Sequence, residues 1–242
     1  MIKVAILVDG GFYRKRAHFL FGDKSPQKRA DELFTYCKRH LTYNSFNQDE
    51  PISLYRIFYY DCPPATKNVM HPLTGKVTSL EKTDLYKWTT DFFQELSSKR
   101  KLAIRKGELL ESSVGYNIKP EVVKKLCRKE LTIDDLSERD FILDMKQKGV
   151  DMRIGLDIAA LANKRLVDQI VLIAGDSDFV PAAKHARREG VDFILDPMWL
   201  PIKHSLQEHI DGIHTPTFKP GSEKIDKLCV KQSREKQSQS EQ

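Results

Sequence analysis

The N-terminus is an almost continuous apolar run, Ile2 to Val8, interrupted only by Lys3 and stopped by Asp9-Gly10-Gly11. A run of this kind, rich in β-branched residues and without alternation, predicts a strand buried on both faces. The same pattern returns at Ile170 to Ala174, closed by Gly175-Asp176, and more weakly at Ile52 to Tyr60, closed by Asp61. Leu102 to Lys106 and Val191 to Leu195 read as shorter strands. Between these runs the period changes. Residues 12–21 read as a helix leaving the first strand. Residues 26–42 carry Ala30, Leu33, Phe34, Cys37 and Leu41 on one helical stripe. Helices are also predicted at Lys82–Lys99, Val150–Leu161 and Phe179–Arg188, the last stopped by Gly190.

Strands alternating with helices at this spacing imply crossover connections and an α/β fold with a mainly parallel sheet. Residues 1–220 are expected to form a single domain. The stretch at about 62–147 is longer than the alternation needs and reads as an insertion. It is highly charged over 107–147, with helix expected after Pro120, and is expected to form a cap over one sheet edge. From Gly221 the chain turns to Lys, Ser, Gln and Glu, and residues 221–242 are expected to be a disordered tail.

A parallel sheet collects the carboxyl ends of its strands at one edge, where ligands bind. Asp9 and Asp176 end fully apolar strands. Asp178 stands at the start of a helix, and Asp151 at the start of another. Each also suits a capping or turn role. Gathered carboxylates repel, so such a site calls for a hard divalent cation, Mg²⁺ or Mn²⁺, which takes oxygen ligands and keeps several waters. Phosphodiester hydrolysis is the chemistry such a site serves best. Asp157 follows Asp151 by about 600° of helix rotation, so the two share no face. It either turns toward the site from further along or anchors a basic neighbour.

The formal net charge is +6, which is compatible with a polyanionic partner. Candidate backbone-binding residues are Arg14, Lys15 and Arg16, Lys146 and Lys148, and Lys184, Arg187 and Arg188. Lys148 is favoured because it neighbours Asp151. Tyr59, Tyr60, Trp88 and Phe92 are candidates to stack on bases, although core packing competes for them. Cys37, Cys62, Cys127 and Cys229 form no C-x-x-C pair, which argues against structural zinc. The first apolar run is too short for a membrane span and lacks a signal-peptide cleavage site. A soluble, cytoplasmic protein is expected, with a homo-oligomer among the assemblies open to it.

Three blocks in this order, Val8-Asp9-Gly10-Gly11-Phe12, then Lys148-Gly149-Val150-Asp151 with Leu156-Asp157-Ile158, then Ala174-Gly175-Asp176-Ser177-Asp178-Phe179, resemble the NYN domain family, a branch of the PIN-like nucleases. The resemblance implies a three-layer α/β/α PIN-like fold, here with a helical insertion of the kind seen in a bacterial subgroup. It implies a Mg²⁺ or Mn²⁺ site at Asp9, Asp151, Asp176 and Asp178, with Asp157 in the family pattern, and RNA as substrate. Many members carry asparagine where this chain has Phe12. The functional expectation is a metal-dependent ribonuclease. The alternatives are a catalytically silent RNA-binding or scaffold protein on the same fold and a haloacid-dehalogenase-like phosphatase. The phosphatase needs a second aspartate where this chain has Gly11. A receiver domain with Asp61 as phosphoacceptor would need an acidic pair after the first strand, where Gly10 follows Asp9.

Overall fold

The computed structural model describes residues 1–42, 50–217 and 219–220; the expected tail at 221–242 lies outside the described residues. The elements in chain order are β1 (Ile2–Asp9), α1 (Gly10–Phe21), α2 (Pro26–Arg39), β2 (Ile52–Asp61), β3 (Asn68–Met70), β4 (Val77–Ser79), α3 (Asp84–Ser97) and β5 (Leu102–Lys106). There follow β6 (Glu108–Leu109), β7 (Gly115–Ile118), α4 (Pro120–Cys127), β8 (Phe141–Asp144), β9 (Gln147–Lys148) and α5 (Val150–Asn163). The C-terminal part holds β10 (Gln169–Ile173), α6 (Val180–Arg188), β11 (Asp192–Asp196), α7 (His204–Gln207) and β12 (Gly212–Ile213).

Six strands form one parallel sheet in the order β12-β11-β10-β1-β2-β5. The apolar run of β1 is explained by its place at the centre. Ala5 and Leu7 pack toward α5 and α6, whereas Val4, Ile6 and Val8 pack toward α1, α2 and α3, and all five are fully buried. The result is the α/β/α sandwich with a parallel sheet that the pattern predicts.

The chain moves outward from β1 to β2 and β5, then returns to lay β10 on the other side of β1. The β1/β10 boundary is therefore the topological switch point, where a crevice opens at the carboxyl edge. Val8, Ile173 and Asp196 are register partners across β1, β10 and β11, so the three strand ends stand level.

The middle segment differs from the expected helical insertion. It supplies α3 and β5 to the sandwich itself. The remainder is largely short antiparallel pairs, β3/β4, β6/β9 and β7/β8. Helix α4 ends after two turns, where Lys129 takes a left-handed backbone (φ 60°). The short alternations Gly115-Tyr116-Asn117-Ile118 and Phe141-Ile142-Leu143-Asp144 are strand patterns overlooked among the charges. These pairs rise from the carboxyl ends of β2 and β5. They share a small core of Val69, Leu80 and Val114, with His71 packed between the rings of Tyr116 and Phe141.

Candidate active site

Asp9 is delivered to the carboxyl edge by β1 and also caps α1, its Oδ1 accepting from the Phe12 N–H at 3.1 Å. The cap and the site are one residue. Burial pushes the Asp9 carboxyl up to about 6; the Phe12 N–H opposes this, and the charges of Asp151 and Asp61 add to it. The close turn requires Gly10, because a Cβ there would lie 2.5 Å from Tyr59 Cζ and 2.6 Å from the Tyr60 carbonyl oxygen.

On the neighbouring strand, Asp61 is fully buried. It accepts from the Tyr59 hydroxyl (3.0 Å) and the Cys62 N–H (2.8 Å), and pairs with Arg14 Nε at 3.0 Å. Burial pushes its carboxyl above the usual carboxylate range, with Arg14 the main opposing influence and Gln147 also donating to it. In the sequence Asp61 reads as a strand end, or as a phosphoacceptor in the rejected receiver-domain reading, but not as part of the acidic site. Its signal was adjacency: a second strand ending in aspartate beside β1 had to bring that carboxylate near Asp9.

On the other side of β1, Asp176 follows β10 and caps the turn Ser177–Phe179, its Oδ1 accepting from the Asp178 N–H at 3.1 Å. Gly175 lies under the Phe12 ring, and a Cβ at 175 would meet Phe12 Cε2 at 2.5 Å. Phe12 thus packs the end of β10 against the start of α1. Asp151 stands in the first turn of α5, after the left-handed Gly149 (φ 81°). Crowding by the protein raises its carboxyl above the usual range, and the charges of Asp176 and Asp178 raise it further. Asp61, Asp9, Asp151, Asp176 and Asp178 therefore form one electrostatically coupled series along the edge.

Arg14 answers Asp61. Lys203 reaches the far end of the series, donating to Ser177 Oγ at 3.1 Å. Among the described residues, no three Asp, Glu, His or Cys side chains close on a common point at ligand spacing. The carboxylates line a rim rather than a cage. An all-oxygen rim suits Mg²⁺ or Mn²⁺, which need one or two direct carboxylates and retain water for the rest.

The structure does not bring Asp157 into this series. Its Oδ2 accepts from the Tyr60 hydroxyl (2.8 Å) and from Arg105 Nε (3.1 Å), so it anchors a basic neighbour. Arg14 is committed to Asp61, and Arg16 donates Nε and Nη2 to the Met198 carbonyl at 3.2 and 2.7 Å. Neither guanidinium is free for RNA, because each satisfies a protein acceptor. Lys148 is exposed on β9, three positions before Asp151. Lys184 and Arg188 instead line a cavity of about 590 Å³ with Asp192 and His209, beside the start of β11. That is the opposite sheet edge, because α6 starts at the acidic rim and runs away from it. Tyr59, Tyr60 and Phe92 are fully buried and offer no open face, and the partly buried Trp88 is stacked on Phe92 with centroids 5.0 Å apart.

The family model of the NYN domain matches residues 91–208, which hold Asp151, Asp176 and Asp178. The matched part of the chain is thus similar to an NYN domain. NYN domains belong to the PIN-like superfamily, a nuclease group. The match begins within α3, so β1 with Asp9 lies before the matched part of the chain. No curated protein matches the chain. Among solved structures it is similar to VPA0982 of Vibrio parahaemolyticus RIMD 2210633, a protein of unknown function, at 12% identity and a TM-score of 0.41, covering 88% of this chain and 91% of that one. A second likeness, to the maltogenic α-amylase AmyB of Thermotoga neapolitana, has 10% identity and a TM-score of 0.20, covering 87% of this chain and 48% of that one. Neither is near enough to bear on function. No helix among the described residues is long and apolar enough to cross a membrane.

Proposed function

We propose that this NYN domain is a metal-dependent ribonuclease that hydrolyses phosphodiester bonds at the β1/β10 edge. The observation that carries the reading is the coupling of Asp9, Asp151, Asp176 and Asp178 at the switch point, with Arg14 spent on Asp61. Carboxylates crowded in this way destabilise the protein unless a cation joins them. Asp9, Asp151, Asp176 and Asp178 would hold Mg²⁺ or Mn²⁺; Asp157, engaged by Tyr60 and Arg105, would not. When bound, such an ion offsets the phosphate charge and promotes attack by water.

The chain's own residues do the positioning. Asp9 is fixed by its bond to the Phe12 N–H, and Asp176 by its bond to the Asp178 N–H. Asp61, at the end of the strand beside Asp9, is paired with Arg14 and so does not compete for the ion. Exposed Lys148 and Lys146 are the nearest candidates to hold the RNA backbone. The test is incubation of the full chain with RNA and with single-stranded DNA in Mn²⁺, Mg²⁺ or chelator. RNA cleavage that requires the metal is expected. Binding without cleavage under all three conditions would favour a silent RNA-binding protein instead.

A further inference from the structure

Three of the four candidates for base stacking named from sequence are inside the protein and the fourth, Trp88, is stacked on one of them, but two other aromatic rings are outside it. Phe19 is 70% exposed and Trp199 37% exposed, with Leu200 beside it at 38%. The two rings are linked. Arg16 lies over the Phe19 ring at 5.0 Å and donates two hydrogen bonds to the carbonyl of Met198, the residue before Trp199.

The backbone at Trp199 is held in a costly shape. Met198 and Trp199 both have positive φ, 46° and 67°, a region that non-glycine residues seldom enter and that bulky ones avoid. Several bonds enforce it. Asp196 Oδ1 accepts from the Met198 N–H (2.8 Å) and from Thr215 Oγ1 (2.7 Å). Asp196 Oδ2 is held by the Tyr36 hydroxyl (2.6 Å) and contacts His40 Nε2 (3.0 Å). The Met198 side chain is fully buried, and Trp199 Nε1 donates to Thr217 Oγ1 at 3.3 Å. A buried aspartate, two ring systems and an arginine thus fix a turn whose outward product is a partly open indole. Packing alone gives no reason to hold a tryptophan outward in this way.

The turn also stands next to the acidic rim. Asp196 is level with Ile173 and Val8 in the sheet, so the turn leaves about two strand spacings, roughly 10 Å, from the end of β1. Past it, Lys203 reaches Ser177, between Asp176 and Asp178. Lys203 supplies a cation on this side, while Arg16, bonded to the Met198 carbonyl, fixes the turn and the Phe19 ring.

We propose that Trp199, with Phe19 as a second ring and Arg16 as the clamp, is a stacking platform for unpaired bases of single-stranded RNA leading to the acidic rim. This rests on the ribonuclease reading for its occupant. Aromatic faces beside cations suit unpaired nucleotides, since every base has a face to stack and the phosphates meet the cations. A duplex keeps its bases stacked on one another and offers no face, so the platform also selects single strands.

The experiment is binding in chelator, with no turnover, of a short uridine oligomer and of an RNA duplex of equal length. The chain has two tryptophans, and Trp88 is stacked on Phe92, so fluorescence quenching by the oligomer reports Trp199. The oligomer is expected to quench the wild type. Trp199→Phe should keep most of the affinity but lose the quench. Trp199→Ala should weaken single-strand binding about tenfold and leave duplex binding unchanged, with exposed Phe19→Ala giving a smaller loss in the same direction. Equal single-strand affinity in Trp199→Ala, an equal loss for duplex, or no binding by the wild type would each overturn the proposal. Trp199-dependent binding in a chain that cuts nothing with Mn²⁺ would remove the nuclease reading and leave the platform standing. Undiminished cutting and binding by Trp199→Ala would do the reverse.

Discussion

Arg14 grips the fully buried carboxylate of Asp61 with two nitrogens, Nε at 3.0 Å from Oδ2 and Nη2 at 3.2 Å from Oδ1. One cation is thereby assigned to one carboxylate, and Asp9 on the adjacent strand is left to its acidic neighbours. Removing one member of such a pair strands a buried charge. Arg14→Met is expected to cost about 3–5 kcal/mol in denaturant unfolding near neutral pH. Adding Asp61→Asn should recover much of that loss. A single mutant as stable as the wild type would show that the pair does not hold the fold.

Asp9 gives a pH signature. Its folded value of about 6 lies above the ordinary 3.8, so ionising it costs folding energy. Both states are protonated below about pH 4, so the favourable contribution is fully present there. It is lost as pH rises through about 6, a change of roughly 3 kcal/mol. His214 works in the opposite sense over an overlapping range, because burial and His40 push it down to about 4. The comparison must therefore be with Asp9→Asn, which keeps the helix cap. Without metal, the mutant should melt higher than the wild type at about pH 7.5, and the gap should close toward about pH 4. Mn²⁺ should stabilise the wild type more at about pH 7.5 than at about pH 5, since ligands must be deprotonated to bind. A gap that does not change with pH would remove Asp9 as its source.

Asp176→Asn separates charge from shape. The exposed carboxylate caps the Ser177–Phe179 turn, and asparagine caps about as well. Stability without metal should stay within about 0.5 kcal/mol or rise slightly. Metal-dependent cleavage should fall by more than the tenfold to hundredfold typical of changes around a metal site. Unchanged cleavage together with unchanged stabilisation by Mn²⁺ would return Asp176 to the role of a turn residue.

Asp157→Asn should behave differently from every aspartate on the rim. Its bond from the Tyr60 hydroxyl can be kept, and its pairing with the half-exposed Arg105 is worth at most about 1 kcal/mol. Stabilisation by Mn²⁺ should match the wild type. Loss of that stabilisation would assign Asp157 to the metal after all.

The sheet was legible because its strands are buried on both faces, which leaves runs such as Ile170 to Ala174 with no other use. The positions of Asp9 and Asp176 at one edge follow from the same runs. Asp157 was ambiguous because helical rotation excluded a shared face with Asp151 but could not name Tyr60 and Arg105, which come from two strands far away in sequence. Arg14 and Arg16 looked like RNA contacts for a similar reason: their acceptors, Asp61 and the Met198 carbonyl, are set by tertiary structure. In the segment 107–147 the helix after Pro120 is legible and stands as α4, but the strands around it are not, because two- to four-residue strands are too short to establish a period. Trp199 carried no signal, since a strained turn is a property of backbone angles and not of residue order.

The strand order also fixes when the acidic edge comes into being. Synthesis delivers β1, β2 and β5 early, and β1 lacks a neighbour on one side until residues 169–173 have emerged from the ribosome. A nascent chain that ends before that point carries Asp9, Asp61 and Arg14 but not Asp176 or Asp178. It is therefore held beside its own messenger with half an edge. In the proposed ribonuclease this order of manufacture would act as a safety catch, released only once residues 169–178 have been made.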